Sequence, residues 1–93
     1  MIEFSDGRYR LQGPVTLATV QPLLEEGTRR FEGTEVRVDL SAVTDADSSA
    51  VALLLAWARD AAAHGRRIRF ENLSKNLRSL IQLYELGELL PGG

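Results

Sequence analysis

The sequence predicts an α/β domain in which three helices pack on a mixed, mostly parallel four-stranded sheet. Short segments with alternating apolar residues are predicted as strands, and three longer segments with apolar residues at helical spacing are predicted as helices. Their order is β-β-α-β-α-β-α, and strand–helix–strand units of this kind connect parallel strands by right-handed crossovers. The first two strands are joined by a short turn, so we expect them to form an antiparallel hairpin at the sheet edge.

Length and composition set the class of protein. The chain has 93 residues, so we expect a single domain over residues 1–93 with one two-layer core. Its net charge of −2 argues against a nucleic-acid partner. No apolar run reaches the roughly 18 residues that span a bilayer. There is no cysteine and no signal-peptide pattern at the start, so a cytoplasmic location is expected.

The first half of the chain supplies the hairpin and the first helix. Strands are predicted at Ile2–Phe4 and Arg8–Gln12 around a Ser5–Gly7 turn, and Gly13-Pro14 is expected to end their pairing. A helix is predicted at about Val20–Phe31. Thr16 or Thr19 is a candidate cap for this helix, Pro22 lies in its first turn, and Val20, Leu23, Leu24 and Phe31 share its apolar face.

The second half supplies the remaining elements. A strand is predicted at Arg66–Glu71, because Ile68 and Phe70 alternate with charged residues. A third helix is predicted at Lys75–Leu86, where the apolar residues Leu77, Leu80, Ile81 and Tyr84 follow a helical period. Gly87 is expected to end this helix, and the short tail Leu89–Pro91 is expected to pack on the domain.

The central stretch, Val36 to His64, is where sheet and site are expected to meet. A strand at Val36–Leu40 is followed by a predicted polar loop, Ser41–Asp47, and then by a long apolar helix from Ser48 to His64. Side chains at a helix N-terminus accept bonds from its first free N–H groups, and the same place suits a phosphate. Asp47 and Ser48 are therefore either a cap alone or part of a site.

The long helix carries more apolar residues than one face needs. With Val51 at zero on the helical wheel, Leu54, Leu55, Ala58 and Ala62 fall within roughly 60° and are predicted as the core stripe. Leu53 and Trp57 then lie about 200° and 240° round the helix. We interpret these two as an exposed patch for a partner. The alternative is that the first helix, or Leu86, Leu89 and Leu90, cover them.

No catalytic or metal-binding pattern is present. The chain lacks a glycine-rich phosphate loop, an HExxH motif and any cysteine nucleophile. Asp39, Asp45 and Asp47 lack the spacing of a calcium loop, and turn or cap positions explain them better than magnesium does. The lone His64 is expected at the helix end on the surface. We therefore expect no enzyme activity, no cofactor and no metal.

The central sequence VDLSAVTDADSSAVALLLAW resembles the STAS domain family (sulfate transporter and anti-sigma factor antagonist). The shared pattern is a strand ending in Asp39-Leu40-Ser41, a short loop, Asp47-Ser48-Ser49 and an apolar helix. This likeness covers nearly the whole chain and implies the STAS-like order β-β-α-β-α-β-α. Where the family usually has glycine shortly after the hydroxyl residue, this chain has Ala50, whose methyl group reduces the room for a close partner.

Two branches of the family imply two functions. The segments Ala52–Trp57, Gln21–Leu23 and Leu83–Pro91 resemble the MlaB branch, the STAS subunit of Mla phospholipid-transport ABC complexes. That resemblance implies a hetero-complex with a cytoplasmic ABC ATPase, peripheral to the inner membrane; a homodimer is also open. The implied partner-binding residues are Asp47, Ser48, Ser49, Ala50, Leu53 and Trp57. The alternative is an anti-sigma factor antagonist that a kinase regulates by phosphorylating Ser48.

Overall fold

The computed structural model describes residues 2–83 and confirms the predicted order of elements. The elements are β1 (Ile2–Ser5), β2 (Arg8–Val15), α1 (Val20–Arg30), β3 (Glu35–Ala46), α2 (Ser48–Ala63), β4 (Arg67–Glu71) and α3 (Lys75–Leu83). The predicted last turn of the third helix up to Leu86, and the tail Leu89–Pro91, lie outside the described residues. No helix within residues 2–83 is long and apolar enough to span a membrane.

The four strands form one sheet in the order β1-β2-β3-β4. β1 and β2 are antiparallel, and a two-residue turn joins them. Both turn residues have positive φ, 54° at Asp6 and 75° at Gly7, which matches the hairpin turn that follows the right-handed twist of paired strands. β2 pairs with β3 and β3 with β4 in parallel, as the crossovers require. The predicted mixed, mostly parallel sheet is confirmed.

The central strand is longer than the sequence indicated. The prediction of a polar loop over Ser41–Asp47 was wrong up to Ala46, because this segment continues β3 and pairs with the second half of β2. Gly13-Pro14, predicted to end a strand, instead lies inside β2. The register shifts twice along this pairing, between Arg10 and Gln12 and between Gly13 and Pro14. These irregularities accommodate the extra residues of β3.

The helices begin where the sequence places them, although the expected caps differ. Thr19 occupies the N-cap of α1, but its side chain makes no cap bond. Its hydroxyl instead donates to the Pro14 carbonyl at 2.9 Å, which ties the loop to the end of β2. At the other end of α2, His64 is the exposed C-cap residue, as expected, and its ring Nδ1 lies 2.8 Å from the Asp60 carbonyl oxygen.

All three helices lie on one face of the sheet. Buried residues from β1 to β4 and from α1, α2 and α3 form one hydrophobic cluster. Along each strand the alternate residues point to the other face. On that second face lie the charged side chains of Glu3, Arg8, Arg10, Arg37, Asp39, Arg67, Arg69 and Glu71. We call it the open face, since none of the described helices packs on it.

The predicted phase of α2 was wrong by about a quarter turn. Trp57 and Leu53, predicted as an exposed patch, are 0% and 1% exposed, whereas Ala62, predicted in the core, is exposed. The buried stripe consists of Ala50, Val51, Leu53, Leu54, Trp57 and Ala61. The alternative in which the first helix covers the patch is therefore the one observed.

α1 covers the indole because it brings a glycine against the ring. A Cβ atom on Gly27 would lie 2.5 Å from the Trp57 Nε1 and Cε2 atoms, so only glycine allows this close approach. The indole Nε1 donates to the Leu24 carbonyl at 3.4 Å, and the Phe31 ring meets the indole edge-on with centroids 5.1 Å apart. Trp57 is thus an internal anchor between α1 and α2 and cannot serve as a docking residue.

Candidate functional site

The candidate site is the N-terminus of α2, at the carboxyl end of β3. Asp47 is the N-cap residue, with extended backbone angles, and its Oδ1 atom accepts a bond from the Ser49 amide at 2.8 Å. The capping alternative is therefore confirmed for Asp47. Ser48 is the first helical residue, so its own side chain is not needed as the cap.

The second oxygen of Asp47 holds a distant segment. Asp47 Oδ2 accepts a bond from the Leu17 amide at 3.1 Å, and the Asp47 amide donates to the Val15 carbonyl at 3.3 Å. The Leu17 amide is the main cause that lowers the pKa of Asp47; partial burial opposes it, and bonds from Ser49 support it. One ionised carboxylate thus fixes the β2–α1 loop against the start of α2.

Ser48 is accessible at the surface. Its side chain is exposed, and its hydroxyl makes no hydrogen bond with any other residue in 2–83. Ser49 is half-buried, and its amide donates to the Asp47 carboxylate. Ala50 is 1% exposed and belongs to the core, so its methyl group does not face a partner. Of the six predicted partner-binding residues, the structure therefore leaves Asp47, Ser48 and Ser49 at the surface and encloses Ala50, Leu53 and Trp57.

Leu17 is a surface residue that the sequence did not single out. It is 79% exposed, one of three large apolar side chains that are exposed within residues 2–83. Its backbone is held by Asp47, which places this leucine beside the start of α2. An open groove of about 280 Å³, lined in part by Pro14, Ala18 and Pro22, continues from the loop along α1. The available sequence signal was a leucine between Thr16 and Thr19, in the segment just before the predicted first helix.

The start of α3 borders the same edge. Asn76 Nδ2 donates to the Ala46 carbonyl at 3.1 Å, and the Ser74 hydroxyl caps α3 by accepting a bond from the Leu77 amide at 3.0 Å. Lys75 and Asn76 are exposed. The site surface therefore combines an exposed leucine, a serine hydroxyl and polar side chains from three loops at one end of the sheet.

Asp39, the first residue of the Asp39-Leu40-Ser41 pattern, has a structural role. Its carboxylate is buried and accepts bonds from the Ser41 amide at 2.9 Å and from Asn72 Nδ2 at 3.0 Å, with Arg10 at 3.6 Å. Burial acts to raise the pKa of Asp39, but the bonds from Asn72 and Ser41 and the charge of Arg10 outweigh it and lower the pKa to about 2. The cluster anchors the loop after β4, where Asn72 has a φ of 58°.

The described residues contain no metal-binding cluster. Within residues 2–83 no group of three or more histidine, aspartate or glutamate side chains is placed to hold a metal ion. Two of the three aspartates considered as magnesium ligands have structural roles instead. Asp39 anchors the loop after β4, and Asp47 caps α2. The surface at the start of α2 offers the exposed Ser48 hydroxyl for hydrogen bonds and the exposed Leu17 side chain for apolar contact.

Comparison with known proteins shows that other proteins share this fold. Solved structures share the fold: the anti-sigma factor antagonist SpoIIAA in its unphosphorylated form superposes with a TM-score of 0.74 at 21% identity, over 100% of this chain and 86% of that chain. The Bacillus cell fate determinant SpoIIAA in its phosphorylated form gives 0.66 at 21% identity, over 100% and 89%. Mglu gives 0.63 at 23% identity, over 81% of this chain and 20% of its own. No curated protein sequence matches the chain significantly.

The element order β-β-α-β-α-β-α over a mixed four-stranded sheet, with the described helices on one face, matches the STAS fold. The chain belongs to the MlaB STAS domain family, whose sequence profile matches residues 2–91. STAS domains act in protein–protein interactions.

Proposed function

We propose that this protein is a non-enzymatic subunit that binds a cytoplasmic ABC ATPase of a phospholipid-transport system, peripheral to the inner membrane. The family assignment supports this proposal, since the matching family is the MlaB one. The docking surface would be the start of α2 together with the loop that carries Leu17. A small subunit of this kind stabilises the ATPase state that it prefers, by no more than its difference in affinity between states.

The observation that carries the proposal is the coupling of Ser48 and Leu17 through Asp47. The carboxylate bonds the backbones of Leu17 and Ser49, so the exposed leucine and the exposed hydroxyl are held at a fixed separation before a partner arrives. Such preorganisation reduces the entropy that binding costs. Full burial of the leucine would contribute about 2 kcal/mol, and the hydroxyl would add direction through hydrogen bonds.

Co-purification from the host with the tagged ATPase tests this surface. We expect Ser48→Asp and Leu17→Asp each to abolish recovery of the complex, because either places a charge within the contact. Ala63→Asp is the matched control, since Ala63 is exposed at the far end of the same helix. Full recovery of the complex with both site variants, at wild-type thermal stability, would refute the proposed surface.

A second function is favoured by the exposure of Ser48. Its free hydroxyl at the first position of α2 is accessible to a kinase, and a phosphate there would add nearly two negative charges beside Asp47 and Asp45. The helix N-terminus tolerates this charge in the free protein, whereas an acidic or apolar partner surface would reject it. This arrangement supports a phosphorylation-controlled anti-sigma factor antagonist.

Intact-mass analysis of the protein isolated from its host separates the two functions. A stoichiometric phosphate on Ser48, together with loss of ATPase recovery from that fraction, would favour the partner-switching function. An unmodified protein that co-purifies with the ATPase would favour the transport function.

A further inference from the structure

The open face of the sheet carries three arginines side by side on neighbouring strands. Tyr9 pairs with Val38, which places Arg8 next to Arg37, and Arg37 pairs directly with Arg69. We call these three residues the arginine row. Like charges directly opposite each other on paired strands destabilise a sheet. A row of this kind therefore needs anions to compensate it.

The compensation inside the protein is incomplete. Glu71 serves two of the three arginines: its Oε2 accepts from Arg37 at 2.8 and 3.0 Å, and its Oε1 lies 3.4 Å from Arg8 Nε without hydrogen-bond geometry. Arg69 is exposed and has no ion pair or hydrogen bond through its side chain with any residue in 2–83. The row thus keeps an excess of about two positive charges beside its single shared carboxylate.

The surroundings of the row limit what can bind there. Phe4, Leu17 and Leu83 are the large apolar side chains exposed within residues 2–83, and none belongs to the rows that flank these arginines. Binding at the row would therefore be electrostatic. The neighbouring rows, each about 7 Å away along the strands, contain charges of both signs: Glu3, Arg10 and Asp39 on one side, and Glu35 with Arg67 on the other.

We propose that the arginine row binds a short acidic segment of a partner protein, one or two carboxylates of which fill the gap beside Arg69. The carboxylates of the flanking rows offset Arg10 and Arg67, so the excess of positive charge is confined to the arginine row, which is too short for an extended polyanion such as nucleic acid or an anionic bilayer. A narrow segment that crosses three strands, about 10 Å, meets only the arginines. Planar guanidinium groups bind carboxylates in bidentate geometry, so this partner chemistry fits.

This surface is separate from the α2 site. Arg37 lies near the beginning of β3, whereas Ser48 follows its end at Ala46, about 30 Å away along the strand. The proposal therefore does not depend on the proposed function. The two surfaces could be occupied together.

A labelled hexaglutamate peptide tests the proposal by fluorescence anisotropy with the full chain. We expect binding at low salt that is lost as salt rises from about 50 to about 500 mM, because exposed charge pairs are screened. Arg69→Glu should weaken binding about tenfold. The matched control is Arg59→Glu, which makes the same charge change at an exposed position of α2 and should leave binding within about twofold.

Three outcomes would overturn the proposal. One is the absence of hexaglutamate binding at low salt. Another is an equal loss of binding in the Arg69→Glu and Arg59→Glu variants, which would show that only net charge matters. The third is tighter binding of phosphatidylglycerol vesicles or of a single-stranded oligonucleotide, with the same dependence on Arg69. Circular dichroism of each variant verifies that it is folded.

Discussion

Replacing Gly27 by alanine tests the packing of α1 on Trp57. At an exposed helical position this change stabilises a protein by about 1 kcal/mol, because alanine is the better helix former. Here the new methyl group would lie 2.5 Å from two atoms of the indole and 2.6 Å from a third, closer than real Cβ atoms approach. Trp57 is 0% exposed, so the ring has no route outward.

The expected cost follows from this overlap. Forcing an extra methyl group into a packed core costs about 1–3 kcal/mol, so after the gain in helix propensity we expect Gly27→Ala to destabilise the domain by about 1 kcal/mol. For a domain of this size the melting temperature should fall by about 4–8 °C. Urea unfolding followed by circular dichroism and by tryptophan fluorescence measures the decrease in the free energy of unfolding and any change in the environment of Trp57.

Arg29→Ala is the control, because Arg29 is exposed on the same helix and should change stability by less than about 0.5 kcal/mol. A Gly27→Ala variant that is as stable as the wild type, or more stable, would refute the enclosed position of Trp57.

Two further predictions concern the aspartates. The pKa of Asp39 is lowered from 3.8 to about 2, so its stabilisation is present above pH 3.8 and is lost as the pH falls towards 2. Asp39→Asn should therefore lower the unfolding free energy by up to about 2 kcal/mol at pH 7 and by much less near pH 2.5, as measured by urea titration; a pH-independent difference would contradict this. Asp47→Ala should speed hydrogen exchange at the Leu17 and Ser49 amides, while Ser5→Ala, in β1, should not.

The fold was predictable because each element carries its own local signal. Asp6-Gly7 specifies the hairpin turn, and the alternation of Ile68 and Phe70 specifies β4. The extent of β3 was not predictable at Asp45, because aspartate is depleted in strands and typical of loops. The pairing of Asp45 with Pro14 of β2 is a tertiary interaction, and it overrides the local preference.

The polar part of the site, at Asp47, was predictable from the sequence. The prediction of its apolar part, at Leu53 and Trp57, was wrong. An aspartate before a serine and an apolar run indicates a helix start, and Asp47 is that cap. The prediction of which face of α2 is buried was wrong because leucines and alanines occur all round the helix. Val51 can therefore lie at either edge of the buried stripe, and the sequence of α2 does not show which. Gly27 decides between them, since it makes room for Trp57 from a different helix. The sequence of α2 alone therefore carries no signal for a contact with a residue in another helix.

The one-sided arrangement of the helices separates two kinds of evolutionary constraint. Substitutions on the helix-covered face alter the packing of a single shared core, so they change stability wherever they fall. On the open face, a residue such as Arg67 or Arg69 can exchange its charge while the interior keeps its volume and its contacts. Related domains can therefore acquire new electrostatic partners on this face while their folding free energy stays nearly constant.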